Sequence, residues 1–235
     1  MTEPQVSVAH LPTPSVGPGS TVLTVVGELV ESARTRGLDH RVLIEPWRGR
    51  DLPDDRILPT APPRHWVSTR PGALVDHALG RTIGRRPAAR ELYRSARRGT
   101  DLSGIGHVVL HDGSYGYGGV EDLAAARPPK SFSIYSHVAM SRSLTRSELL
   151  RLLDRVHRWI HVSDAMADRI RERIGGDHPA LVTVHNGIDP LLFAPRPQGL
   201  TLDPVVVWAG NVSPEKGPDR VLAALRTLPH DDWTL

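Results

Sequence analysis

Short apolar runs punctuate this chain at intervals that leave room for one helix between neighbours, and that alternation constrains the fold more than any single residue. HVVLH at 107–111, Phe132–Tyr135 (FSIY), WIHV at 159–162 and LVTV at 181–184 each read as a short strand. Helical signals fill the gaps. TRSE at 145–148 is a capping box ahead of Leu149, Leu150, Leu152, Leu153 and Val156. Ser163 is placed to cap a helix through Ile174 that Gly175–Gly176 terminates, and Val120–Arg127 reads as a short helix. Upstream, Val6–Ala9 reads as the first strand, ended by Pro12 and Pro14, and SVGPGS follows as a turn. Val22, Val25, Val26, Leu29, Val30 and Ala33 then recur at helical spacing, with Ser20 as cap and Gly37 as stop, and Arg41–Ile44 is the next strand. Strands joined through helices pair in parallel, because the helix must carry the chain back to the starting edge. The expected fold is therefore α/β, a Rossmann-like doubly wound parallel sheet, with its ligand beyond the carboxyl ends of the strands.

Residues 47–100 break the rhythm. Proline-rich sequence (DLPDDRILPTAPPRHW) leads into a basic, helix-compatible segment around Ala73–Arg98. From Arg64 to Arg98 nine arginines face only Asp76 and Glu91, a local +7 in a chain whose formal charge is +3. Such a segment suits a solvated helical face or a weak contact with an anionic membrane surface, and nothing in the sequence resembles a nucleic-acid recognition motif. No run of 18 or more apolar residues is present, so no transmembrane helix is expected. With no cysteine and no basic, apolar leader at the N-terminus, a cytoplasmic protein is expected, with peripheral contact at the inner membrane face as an option.

PRPQGLTLDP at 195–204 reads as a linker between a domain over 1–194 and the beginning of a second over 205–235. In the latter, Val205–Ala209 is the expected strand, AGNVSPEKGPDR the turn, and Pro218 the first residue of a helix carrying Val221, Leu222 and Leu225 on one face. The free N–H groups of a helix start attract anions, and Lys216 adds a full positive charge beside them. Just upstream, NGIDPLLFAP at 186–195 offers a tight Asn-Gly turn and Phe193 as an apolar anchor.

Together, NGID…FAP and GNVSPEKG, in this spacing and strand–helix context, resemble the hinge and second-domain entry of the family 4 glycosyltransferases of the GT-B fold. SVGPGSTVLTVVGELV is similar to that family's N-terminal glycine loop and first helix, and WIHVSDAMADRI to its later strand and helix. The resemblance implies a retaining transferase that takes sugar from a nucleotide-sugar donor to an acceptor, with no cofactor and no metal. It assigns the donor to Gly17, Gly19, Gly210, Asn211, Lys216 and Gly217. It makes His137, at the end of SIYSH, the candidate catalytic contact to the donor sugar, with His111 and Ser20 as further candidates along the same edge.

Two departures from the family pattern stand out. Asn211 occupies the position of a family arginine, and the glutamate pair spaced E-x7-E has no counterpart before Leu235. The expected reading is a fragment with a truncated second Rossmann-like domain; the alternative is a non-catalytic module that binds an acceptor or partner.

Overall fold

The computed structural model describes residues 7–12, 21–44, 57–59, 70–111, 113–125, 131–137, 144–191, 193–194, 206–210, 212–214 and 216–227. The chain divides into two compact units, 1–186 and 187–235.

The first unit is built on β1 (Val8–Pro12), β2 (His40–Ile44), β3 (Ile57–Pro59), β4 (His107–His111), β5 (Ser131–Ser136), β6 (Trp159–His161) and β7 (Leu181–Thr183). They form one sheet in the order β3-β2-β1-β4-β5-β6-β7, every neighbouring pair parallel. This is the expected doubly wound sheet. The helices are α1 (Thr21–Thr35), α2 (Arg70–Thr82), α3 (Pro87–Ala96), α4 (Gly113–Ala124), α5 (Arg146–Leu153) and α6 (Asp164–Ile174).

Successive residues of a strand point to opposite faces, and here the faces differ in kind. One carries Ala9, Leu11, Val108, Leu110, Phe132 and Trp159, all in the main hydrophobic core with side chains of α4, α5 and α6. The other carries His10, His107, His111, Ser133 and Tyr135, and Val42 from this side packs with Val26 and Val30 of α1. Parallel sheets are ordinarily apolar on both sides, so the polar face calls for an account of its hydrogen bonds.

Three differences from the expected elements have local causes. β1 runs to Pro12, because its pairing with β4 continues through Pro12 opposite His111; proline as the last strand residue ends the strand rather than preventing it. The basic segment is two helices, broken where Gly84 takes φ +65° and Pro87 opens α3. The carboxylate of Asp76 in α2 then accepts from the first N–H groups of α3, Ala88 and Ala89, each at 2.7 Å. Burial pushes Asp76 up, against the opposing pull of those two bonds. Finally, the short helix after β4 is Gly113–Ala124 and begins seven residues before Val120. GSYGYGG has poor helix propensity, yet its glycines are what the packing uses: a Cβ on Gly118 would stand 2.2 Å from the Ala89 carbonyl carbon of α3.

The capping box forms as expected. Thr145 accepts from the Glu148 N–H, and the Glu148 carboxylate accepts from the Thr145 N–H at 2.7 Å. Gly175 ends α6 with φ +78°, the left-handed conformation that glycine adopts without strain. Ser163 occupies the N-cap position of α6 but makes no capping bond through its side chain.

Candidate functional site

β1 and β4 are neighbours from which the sheet grows in opposite directions, so their carboxyl ends flank the crevice where a doubly wound fold receives its ligand. Gly17, Gly19 and Ser20 fall in the connection after β1 and lie outside the described residues, as does Asn211. Two of the expected residues meet at this edge. His111 closes β4 and is fully buried, while His137 follows the last residue of β5 and is half-buried. Nδ1 of His111 lies 2.8 Å from Nε2 of His137, and the rings stack with centroids 5.1 Å apart and planes 17° from parallel. Tyr135 packs its ring against both, 5.6 Å from His111 and 4.5 Å from His137.

The pair belongs to a longer row. Nε2 of His111 meets Nδ1 of His10 at 2.8 Å, and Nε2 of His10 meets Nδ1 of His40 at 2.9 Å. Strand register explains the spacing. His40 is level with Val8, His10 lies two residues farther along β1 and level with Val109, and His111 lies two farther along β4. On β5 the level of Leu110 is Ile134, so His137 is again two residues beyond His111's level. Each step moves one strand across and two residues up, and a step of two keeps the same face. The imidazoles therefore form a diagonal from the amino end of β2 to the carboxyl edge of β5. His107 caps the same polar face differently, meeting Ser131 Oγ at 2.9 Å and Ser133 Oγ at 3.1 Å.

Burial sets the charge of the row. It pushes His10 down to about 3, with the neighbouring His40 and His107 adding to the effect. His111 is likewise held well below the ordinary histidine range by burial, and then by His10 and His137. Both are neutral imidazoles at physiological pH. Sequence reading found His111 and His137 from their strand ends but missed His10 and His40, because the stagger that unites them is a property of register. Among the described residues, no group of three or more histidines and carboxylates is arranged to hold a metal ion; the row's nitrogens face one another in succession instead of converging on a point.

In the second unit, α7 (Pro218–Leu225) opens on Gly217, whose φ of +63° is a left-handed conformation, with Pro218 in the first turn. Lys216 is exposed, and its carbonyl accepts from Trp208 Nε1 at 3.2 Å. The Lys216 and Gly217 N–H groups both donate to Ser213 O, closing the turn beneath the helix start. Gly210 lies against this turn, where an added Cβ would be 3.3 Å from the Trp208 ring. Lys216, Gly217 and Gly210 are thus brought together by one loop. The expected strand at 205–209 is not formed among the described residues: 206–209 have no regular structure and Val207 is 81% exposed. A strand needs a partner for its N–H and C=O groups, and none is described for it. Phe193 is 64% exposed and so is no buried anchor, although Asp189 organises the turn before it by accepting from the Leu191 N–H at 2.8 Å.

Comparison with known proteins agrees with this architecture. The fold resembles the crystal structure of Acinetobacter baumannii MurG, with a TM-score of 0.51 at 12% sequence identity, over 95% of this chain. The chain spans 58% of the length of that protein. No curated protein matches it. The family model described as Glycosyltransferase Family 4 matches residues 22–191, from the first helix to the turn after β7, and the chain belongs to that family.

Proposed function

We propose that the protein is a glycosyltransferase that moves a sugar from a nucleotide-sugar donor to an acceptor with retention at the anomeric carbon. Family membership is the observation that carries this reading. In the reaction, the bond from the anomeric carbon to the donor phosphate oxygen breaks and its electron pair leaves with the nucleotide diphosphate. An acceptor hydroxyl oxygen bonds to the same carbon, and its proton passes to the departing phosphate. Negative charge grows on the diphosphate, so groups already turned towards it lower the barrier. Lys216 and the N–H groups at the start of α7 are assigned to that charge, with Gly210 and Gly217 giving the backbone close approach, and Gly17, Gly19 and Ser20 keep the roles that the family resemblance gives them. His137 is assigned to a hydroxyl of the donor sugar, supported from behind by His111. These groups neutralise the diphosphate without a metal ion.

The full-length protein, incubated with a panel of UDP- and GDP-sugars, is expected to bind at least one donor by calorimetry and to turn it over in the presence of acceptor. Lys216→Ala is expected to lower kcat/KM about 10- to 100-fold, the loss of one charge-assisted contact. Wild-type rates in that variant refute the phosphate role. Absence of binding heat with every donor favours instead a non-catalytic acceptor- or partner-binding module, the reading to which Asn211 in place of the family arginine points.

The same reading includes peripheral contact with an anionic membrane. No helix among the described residues is long and apolar enough to cross one. Helical spacing sets Arg70, Leu74 and Arg81 in one stripe of α2, and Leu74, Val75, Ile83 and Arg85 are all exposed. Arg86 and Arg97 are withdrawn from the basic segment by ion pairs with Glu148 and Asp122. Co-sedimentation with vesicles that does not depend on anionic lipid refutes this contact.

A further inference from the structure

A neutral imidazole carries one N–H and one lone pair, so an imidazole hydrogen-bonded through both nitrogens passes on a direction. His10 and His111 are bonded in this way, Nδ1 and Nε2 both engaged, at 2.8–2.9 Å. With both neutral, only two arrangements satisfy the row. Either His10 and His111 each carry their proton on Nδ1 and every bond runs from His40 towards His137, or both carry it on Nε2 and every bond runs back. Mixed arrangements set two donors or two lone pairs face to face inside a buried site. The surroundings favour neutrality along the middle of the row: His10 is 3% exposed and His111 is 0% exposed. Among the described residues, His107 of β4 lies near His10 and the Tyr135 ring of β5 packs on His111, while Val26 and Val30 of α1 cover the same face of the sheet at Val42.

We propose that His40, His10 and His111 are positioning residues that fix the tautomer and ring orientation of His137 at the carboxyl edge, relaying across four strands a hydrogen-bond direction set at the amino end of β2. The row decides which His137 nitrogen presents a proton and which presents a lone pair. In the first arrangement Nε2 of His137 accepts and its proton sits on Nδ1; in the second Nε2 donates, and in the neutral ring Nδ1 is the lone pair. His137's own ligand rests on the glycosyltransferase reading, whereas the relay itself does not.

The test is long-range 1H–15N correlation of the imidazoles in uniformly 15N-histidine-labelled protein, with single histidine substitutions for assignment. His10 and His111 are expected to remain neutral from pH 7.5 to pH 5 and to carry their protons on the same kind of nitrogen. His40→Phe is expected to shift the His137 ring nitrogens, three rings away, and His10→Phe to do the same, while Gly176→Ala, where nothing lies within 4 Å, leaves them unchanged. Opposite tautomers at His10 and His111, or a charged imidazole at either by pH 6, overturn the relay from wild-type spectra alone. Unmoved His137 nitrogens in a folded His40→Phe protein overturn it as well. A locked row in a protein without donor binding refutes the functional reading and leaves the relay standing; donor turnover with opposite tautomers does the reverse.

Discussion

Glu148 is the residue whose removal tests the packing of the first unit most sharply. Its side chain is fully buried and that of Arg86 is 8% exposed. The carboxylate accepts from Arg86 Nε at 2.8 Å and Nη2 at 3.1 Å, and from the Thr145 N–H at 2.7 Å and hydroxyl at 3.1 Å. One side chain therefore ties the start of α3 to the cap of α5. Glu148→Gln keeps the shape, removes the charge and turns an NH2 group towards existing donors. Stripping one partner from a buried ion pair costs about 3–5 kcal/mol, against a total stability of roughly 5–15 kcal/mol for a domain. Arg86→Met combined with Glu148→Leu removes both charges and is expected to be more stable than Glu148→Gln by about 2 kcal/mol, the lost cap accounting for about 1 kcal/mol of what is not recovered. Urea melts followed by circular dichroism at pH 7 provide the comparison. The pH dependence supplies a second check. Burial raises the Glu148 carboxyl, but Arg86, Thr145 and the Arg86 charge together bring it below 4.5. Its stabilisation is then fully present above pH 4.5 and lost as pH falls through the folded value, so the gap between wild type and Glu148→Gln must narrow in acid. A loss under about 1 kcal/mol at pH 7, with no recovery in the double variant, refutes the reasoning.

Gly118→Ala would gain about 1 kcal/mol in helix propensity, but its methyl group meets the backbone of Ala89 and Arg90 at 2.2–2.5 Å; a net loss of about 2 kcal/mol is expected in thermal melts, with Gly176→Ala, where nothing lies within 4 Å, as the neutral control. His161 is 1% exposed, stacks on Trp159 with ring centroids 5.5 Å apart, and leaves both ring nitrogens unpartnered. His161→Phe keeps the ring and is expected to stabilise by about 1–3 kcal/mol at pH 7. Burial pushes His161 down to about 4 from 6.5, so wild type loses stability as pH falls from 6.5 towards 4, and the advantage of His161→Phe should grow by about 2 kcal/mol at pH 5. An equal advantage at both pH values contradicts that assignment.

What could be read from the sequence was whatever a single element states about itself. The capping box at Thr145–Glu148 and the left-handed stop at Gly175 are local chemistry, and the strand at 107–111 announces itself by composition and flanks. Elements whose reason lies elsewhere were misread. α4 contains the glycine-rich stretch before Val120, where Gly118 admits the backbone of α3, a contact no helix scale can register. β1 extends to Pro12 because β4 pairs with it there. The break between α2 and α3 is visible in Gly84 and Pro87, but its cap is Asp76, eleven residues before Pro87. The site followed the same rule. His111 and His137 could be chosen from strand ends, whereas His10 and His40 join them only through a stagger of two residues per strand.

That stagger accounts for a sheet with one polar face. A buried polar group costs about 1–3 kcal/mol when left without a partner and little when it has one. The diagonal gives His10 and His111 two partners each, and His107 finds Ser131 and Ser133 on the next strand. His161 shows the contrast on the apolar face, where a histidine at a strand end lacks any such row and keeps two orphaned nitrogens. Partnering at this density makes the row indivisible. Within the row, replacing a middle imidazole strands a ring nitrogen on each side of it, while replacing an end strands one ring nitrogen. Stability losses at the buried His10 and His111 should therefore exceed those at the half-buried His40 and His137, an ordering that holds whatever ligand the carboxyl edge receives.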